Sequence, residues 1–239
     1  MNFALSVVVA AYDEVDNVGE LVDRLCATLA ALEGVESEIV FVVEGSDGTR
    51  EVLEELSAGI PSLRVLYREK QLGIGAAFRC GFEALDPGRN VVVTMDADLN
   101  HRPEEIPNLL EALNREDADI VVGSRWVAGA ESYGIPLWKR LLSRTVNHVM
   151  RLMFGLRVRD KTSGFRIYRW KVLRQLKFRN RDFAFLPEIL ILAQQRGFSI
   201  IEHPIRFVFR ERGRSKMGLV RTSVSYLLLF GQRMGPSSR

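Results

Sequence analysis

The chain has 239 residues, 47% hydrophobic and 9% aromatic, with 33 Lys plus Arg against 30 Asp plus Glu and a formal net charge of +3. That balance fits one large globular domain and excludes collagen, coiled coil and a wholly disordered chain. No apolar run approaches the ~20 residues of a bilayer span, and the first residues hold neither a basic n-region nor a small-residue cleavage site, so neither a spanning segment nor a secretion signal is expected.

Residues 5–10 form a short Val-rich run, and over 17–32 Val18, Leu21, Val22, Leu25, Leu29 and Leu32 recur at helical spacing. The alternation repeats as a strand over 38–43, a Gly-Ser-Asp-Gly loop, a helix over 49–56 and a strand over 63–67. A helix over 73–85, a strand over 91–95, a helix after Pro103 and a strand over 119–123 continue it. Strands alternating with helices predict an α/β fold with a mostly parallel, doubly wound sheet. Ligands of such sheets gather beyond the carboxyl ends of the strands, after Ala10, Val43 and Met95. Beyond about residue 125 the pattern predicts helices over 137–154, 170–176 and 186–196 and short apolar runs over 200–202 and 205–209, then a basic tail from about Gly213. Cys26 and Cys80 fall in helical patterns and form neither a disulfide framework nor a zinc site, which fits a reducing cytosol.

Residues 1–136 carry 25 acidic and 10 basic side chains, a balance of −15, whereas 137–239 carry 5 and 23, a balance of +18. The second part is therefore expected to meet an anionic partner: nucleic acid, a membrane surface or a phosphorylated substrate.

Asp96, Asp98 and Asn100 stand at alternate positions past a strand's carboxyl end. Such hard oxygen donors suit magnesium or manganese with positions left for water and phosphate oxygens, although aspartates after a strand also cap turns. Glu44 ends the second strand, where an acid can hold ribose hydroxyls or a base edge. Ser46 to Thr49 reads equally well as a turn and helix cap. Gly73-Ile74-Gly75 lacks the third glycine of the dinucleotide fingerprint, which disfavours a nicotinamide enzyme. No P-loop, nucleophile elbow or clustered histidines occur. Over 137–154, Leu137, Trp138, Leu141, Leu142, Val146, Val149 and Met153 cover one side and Arg140, Arg144, His148 and Arg151 another; the helix can lie in a membrane interface or pack on the sheet. The segment 218–234, with its apolar centre at 226–230, invites the same two readings.

Several short motifs occur in a fixed order. They are Ala10-Ala11-Tyr12-Asp13-Glu14, the Glu44 loop, Leu72-Gly73-Ile74-Gly75-Ala76-Ala77, Met95-Asp96-Ala97-Asp98 with Pro103-Glu104-Glu105-Ile106-Pro107, Gly123-Ser124-Arg125, Asp160-Lys161-Thr162-Ser163-Gly164-Phe165-Arg166, and Pro204-Ile205-Arg206-Phe207 with Arg212-Gly213-Arg214-Ser215-Lys216-Met217. With them the chain resembles the family 2 inverting glycosyltransferases of the GT-A fold, and among these the dolichol-phosphate mannose synthases.

The resemblance implies a GT-A domain over 1–212, with a nucleotide-sugar half over 1–125 and an acceptor half over 126–212, followed by a basic loop and interfacial helix over 213–239. It implies that Ala10, Tyr12, Glu14, Val43, Glu44, Asp96 and Ala97 hold the nucleotide sugar, with Arg210 and Lys216 on a loop closing over it. Asp96, Asp98 and Asn100 hold Mg2+ or Mn2+, and Arg125, Lys139 or Arg140, and Ser143 grip the acceptor phosphate, Asp98 and Arg125 being central to catalysis. The implied reaction passes a hexose, mannose from GDP-mannose or a sugar from a UDP donor, to polyprenyl (dolichyl) phosphate with inversion. The implied place is the cytoplasmic face of a membrane, where a membrane-anchoring subunit is a compatible partner. The sequence departs from the family at Ala10 (proline), Val43-Glu44 (Asp-Asp), Asn100 (commonly Gln) and Lys139 (Arg). A nucleic-acid-binding module is the rival, but it lacks stacking motifs and leaves the acidic cluster unexplained.

Overall fold

The computed structural model describes residues 3–86, 88–209 and 226. Nine strands and seven α-helices follow one another among them: β1 (Phe3–Tyr12), α1 (Val15–Ala30), β2 (Val35–Glu44), α2 (Thr49–Gly59), β3 (Leu63–Arg68), α3 (Ile74–Glu83), β4 (Val91–Asp96), α4 (Ile106–Arg115), β5 (Ile120–Ser124), β6 (Glu131–Tyr133), α5 (Leu137–Phe154), β7 (Arg166–Arg169), α6 (Trp170–Gln175), α7 (Phe185–Gln195), β8 (Ile200–Pro204) and β9 (Arg206–Val208). A 3-10 turn, Pro103–Glu105, leads into α4.

Seven strands form one sheet in the order β3-β2-β1-β4-β7-β5-β8, and β6 and β9 form a separate parallel pair. All neighbours in the large sheet run parallel except β7, which is antiparallel to both β4 and β5. The mostly parallel α/β sheet expected from the sequence is present, and β7 and β8 carry the second half of the chain into it. β6 and β7 have no counterpart among the expected strands. The apolar run over 205–209 supplies β9, which pairs with β6 outside the large sheet.

Both faces of the sheet are covered, which is why its central strands are continuous Val, Ile and Leu runs rather than alternating ones. Val7, Val9, Phe41, Val93 and Ile167 pack under α1 and α4, while Val8, Val40, Val92 and Tyr168 face α3 and α7. Gly81 lets α3 lie close on that second face, since a Cβ there would stand 2.4 Å from Val8 Cγ1. None of the described helices is long and apolar enough to cross a membrane.

Candidate active site

Because β2, β1 and β4 are adjacent and parallel, their carboxyl ends meet along one edge. The register sets Tyr12 opposite Glu44 and Ala10 opposite Asp96. The loops after β1 and β2 are tied together: Asp13 Oδ1 accepts from Ser46 N (3.0 Å), Asp47 Oδ2 from Val15 N (3.1 Å), and Thr49 Oγ1 from Glu14 N (2.8 Å). Gly45, at φ +106°, admits the Asp13 carboxylate; a Cβ there would sit 2.1 Å from Asp13 Oδ1. Burial, followed by the charges of Asp13, Glu44 and Asp47, raises the Tyr12 phenol above its ordinary pKa.

Glu44 is buried at the end of β2, where its Oε1 accepts from Leu72 N (3.3 Å) and lies 3.6 Å from Arg68 Nε. Glu14 is also buried and accepts from Asn17 Nδ2 (2.6 Å). Val43 and Ala97, expected to serve the donor, lie in the hydrophobic core, where their side chains pack rather than line the edge. The glycines before α3 serve packing. At Gly73 a Cβ would meet Arg181 O at 2.6 Å, and at Gly75 it would meet Asn180 O at 2.5 Å. Arg181 O also takes up the helix-terminal N–H groups of Gly75 (2.6 Å) and Ala76 (3.2 Å), which rules those two donors out as a phosphate cradle.

At the end of β4, Asp98 Oδ2 accepts from Asn100 Nδ2 (2.6 Å) and Oδ1 from Asn100 N (3.2 Å). Asn100 Oδ1 is buried with no hydrogen-bond donor among the described residues, an acceptor oxygen of the kind a hard cation takes. Gly164 brings backbone against Asp96: a Cβ there would stand 3.2 Å from Oδ2. Two carboxylates and an amide oxygen fit magnesium or manganese with open coordination positions. No group of three His, Cys, Asp or Glu able to hold a metal occurs among the described residues.

Arg125 follows β5 at the same edge. Its Nε and Nη2 donate to Asp160 (2.7 and 2.8 Å), Nη2 also donates to Thr162 Oγ1 (3.0 Å), and its backbone N donates to Asp160 Oδ2 (3.0 Å). Burial favours the neutral form of the Asp160 carboxyl, but the charge and hydrogen bonds of Arg125 outweigh it and hold the pKa below the ordinary value. The turn bearing Asp160 is fixed from below. Glu202 accepts from the backbone N of Arg159 (2.7 Å) and Asp160 (2.9 Å). The fully buried Arg166 donates to the carbonyls of Ser163, Lys161 and Leu186.

Helix α5 closes this side. Ser143 Oγ lies 3.3 Å from Thr162 Oγ1, and Asn147 Oδ1 accepts from Lys161 N (2.8 Å). Ser143 therefore joins Arg125 through Thr162. Arg140 Cζ stands 5.8 Å from the Trp126 ring centroid, beside Arg125 at 5.5 Å, whereas Lys139 Nζ stands over Phe209 (4.5 Å) and Trp138 (5.4 Å). Of α5 only Asn147 and Met150 are buried; Leu137 and Leu152 are each 71% exposed, and Trp138, Leu141, Leu142 and Met153 are exposed too. The apolar side of α5 is thus largely uncovered by the described residues.

Arg210, and the 213–239 segment with Lys216 apart from Tyr226, lie outside the described residues. Tyr226, expected on an interfacial helix, is buried in the core, because its ring packs with the second-face cluster. Three residues of the edge were given no role of their own by the sequence reading: Asp160 and Thr162, which it held only as members of a motif, and His101. His101 is fully buried, stacked on Phe165 (5.4 Å) and edge-on to Phe207 (5.3 Å), and burial lowers its pKa to about 4. Asp160 carries a signal in hindsight, as one of only 5 acids in the basic part of the chain.

An acidic, oxygen-rich rim on β1, β2 and β4 beside a guanidinium anchored after β5 can accommodate a metal-bound phosphate and a second phosphate next to each other. Residues 6–177 match the family described as Glycosyl transferase family 2. The chain belongs to glycosyl transferase family 2. Within this family it is 36% identical over 218 residues to a polyprenol monophosphomannose synthase of Mycolicibacterium smegmatis, covering 88% of this chain and 80% of the relative. It is 34% identical to an undecaprenyl-phosphate mannosyltransferase of Micrococcus luteus, covering 94% and 92%. A dolichol-phosphate mannosyltransferase of Pyrococcus furiosus is 36% identical, with 89% of this chain and 59% of that one covered. Glucosyl-3-phosphoglycerate synthase from Mycobacterium tuberculosis, solved with Mn2+, UDP and glucosyl-3-phosphoglycerate, shares the GT-A fold at a TM-score of 0.67 and 21% identity, over 94% of this chain and 76% of that one.

Proposed function

We propose that this glycosyl transferase passes mannose from GDP-mannose to the phosphate of a polyprenyl phosphate, inverting the anomeric carbon. The observation that carries this reading is Arg125, fixed by Asp160 and Thr162 within reach of Ser143, at the same sheet edge as Asp96 and Asp98. The three mannosyl-transferring relatives named above support it.

Tyr12, Glu14 and Glu44 line the nucleotide side. Asp96, Asp98 and Asn100 would hold a divalent cation, which neutralises the charge of a departing nucleotide diphosphate. On the other side, the Arg125 guanidinium has two nitrogens occupied by Asp160, and its Nη1 is left by those bonds for an acceptor phosphate, with the Ser143 hydroxyl alongside. A phosphate monoester is already anionic at neutral pH, its second pKa lying near ~6, so its oxygen can attack the anomeric carbon without a general base. The enzyme's task is to hold the attacking and departing phosphates in line against their repulsion. Arg140, which shares the Trp126 ring with Arg125, fits the second cation of the phosphate site better than Lys139. Uncovered Leu137, Trp138, Leu141 and Leu142 beside Arg140 and Arg144 fit peripheral attachment to a membrane surface, where the lipid acceptor resides.

Incubation with GDP-mannose, UDP-glucose or other nucleotide sugars and a short-chain polyprenyl phosphate tests the reading. A mannosyl phosphoprenol formed from GDP-mannose with the inverted configuration is expected. Transfer from a UDP-sugar alone, or to a soluble acceptor alone, would overturn it.

A further inference from the structure

The ring of Trp126 gathers more positive charge than the expected phosphate site uses. Three guanidinium carbons surround its centroid, those of Arg125 at 5.5 Å, Arg140 at 5.8 Å and Arg144 at 5.6 Å, so no two can be farther apart than their two radii together. Arg125 is neutralised by Asp160. Arg140 and Arg144 pair with no carboxylate among the described residues. The Trp126 indole N–H is likewise without an acceptor there. Like charges gathered about one ring repel one another unless an anion or the ring's negative face compensates, and one ring offers roughly 0.5–1 kcal/mol to each exposed cation.

Arg140 and Arg144 are one helical turn apart on α5 and flank Ser143. Ser143 in turn reaches Thr162, which accepts from Arg125. Trp126, Ser143 and Thr162 therefore connect the three guanidiniums, of which only Arg125 has a carboxylate partner among the described residues.

We infer that Arg144, held on the Trp126 ring, is a third cationic contact to the acceptor phosphate, and that Trp126 is the positioning residue that aims Arg140 and Arg144 at it. The inference rests on the reading of Arg125 and Ser143 as the acceptor side. The ligand class is an alkyl phosphate monoester, whose three terminal oxygens can accept from several guanidiniums at once. A site built this way favours the dianion over a monoanionic phosphodiester, which separates a polyprenyl phosphate from the bulk phospholipids around it.

Citronellyl phosphate, a short water-soluble acceptor analogue, tests this in two arms. Calorimetric titration without nucleotide sugar should show binding of citronellyl phosphate and none of citronellol, with the phosphate affinity reduced roughly ten- to a hundredfold in Arg144→Ala. Arg144→Lys should recover part of it, and Trp126→Phe should retain more than Trp126→Ala. In turnover with the active donor, Arg144→Ala should raise the acceptor KM by the same factor while the donor KM stays within twofold. The binding arm needs no donor, so a wrong choice of sugar nucleotide leaves it readable. Unchanged affinity and acceptor KM in Arg144→Ala would overturn the inference. So would an unchanged acceptor KM with weakened binding to phosphatidylglycerol vesicles, which would give Arg144 to lipid headgroups instead.

Discussion

Replacing Asp160 by asparagine removes the only carboxylate paired with Arg125 among the described residues. Asp160 is wholly buried and accepts from Arg125 Nε (2.7 Å), Nη2 (2.8 Å) and N (3.0 Å), while the Arg125 side chain is 15% exposed. Removing one partner of a buried pair costs about 3–5 kcal/mol, and the residual exposure of Arg125 favours the lower end. For a chain of this size about 3 kcal/mol lowers the melting temperature by roughly 6–12 °C. The same change frees the guanidinium to swing, so the acceptor KM should rise about tenfold or more while the donor KM holds. Stability and kinetics are thereby separable readouts of one contact.

The pH dependence supplies the control. Because the folded carboxyl is held below its ordinary value, its ionised form stabilises the fold above the unfolded pKa near ~3.9, and that contribution is lost as pH falls through the folded value. The difference in melting temperature between wild type and Asp160→Asn should therefore be constant from about pH 8 to 5 and close below about pH 4. Calorimetry across that range, with acceptor kinetics at neutral pH, is the assay. Equal melting temperatures at pH 7, or a gap that persists undiminished at pH 3, would refute the reasoning.

Chelation by EDTA, or Asp98→Asn, should lower transfer by on the order of a thousandfold with restoration by magnesium or manganese in the wild type only, measured by radiolabelled product. Gly45→Ala places a Cβ 2.1 Å from Asp13 Oδ1 at φ +106°, so it should cost at least about 1–2 kcal/mol by denaturant titration and raise the donor KM more than the acceptor KM. Sedimentation should show binding to anionic vesicles that weakens steeply toward 1 M salt, where the Debye length is ~3 Å, and Leu137→Asp with Leu141→Asp should weaken the salt-resistant remainder.

The strands most legible from sequence are those whose two faces are buried, since Val-rich runs such as those in β1, β2 and β4 fit a sheet covered on both sides. β7 was not legible, because Arg166 and Arg169 bracket it and arginine reads as surface. Arg166 is fully buried because three carbonyls, two from the turn just before it and one from α7, satisfy its guanidinium. The acidic rim was legible because Asp96, Asp98 and Asn100 are neighbours in the chain. The partner of Arg125 was not, as Asp160 lies 35 residues away and meets it only through the sheet. Spacing likewise could not show that Val43 turns into the core while Glu44, next to it, ends at the rim. The uncovered side of α5 was undecidable too, since an amphipathic pattern fixes which residues share a face and leaves open what that face meets.

The sign change along the chain, from −15 to +18, acquires a spatial meaning through the reversed direction of β7. Parallel strands alone would bring only carboxyl-terminal loops to the functional edge. An antiparallel strand between β4 and β5 brings its amino-terminal end there instead, and with it the turn from Asp160 to Gly164. That turn touches both sides: Gly164 lies against Asp96, Gly164 O accepts from Thr94 Oγ1 (2.8 Å), and Asp160 grips Arg125. Two phosphates that repel each other must be brought within bonding distance of one carbon, which requires their counter-charges to be fixed relative to each other rather than merely present. The 160–164 turn, pinned by Arg166 and Glu202, links the carboxylate proposed to hold the metal to the guanidinium proposed to meet the acceptor phosphate. Displacement of that turn should therefore affect turnover more than the binding of either substrate alone.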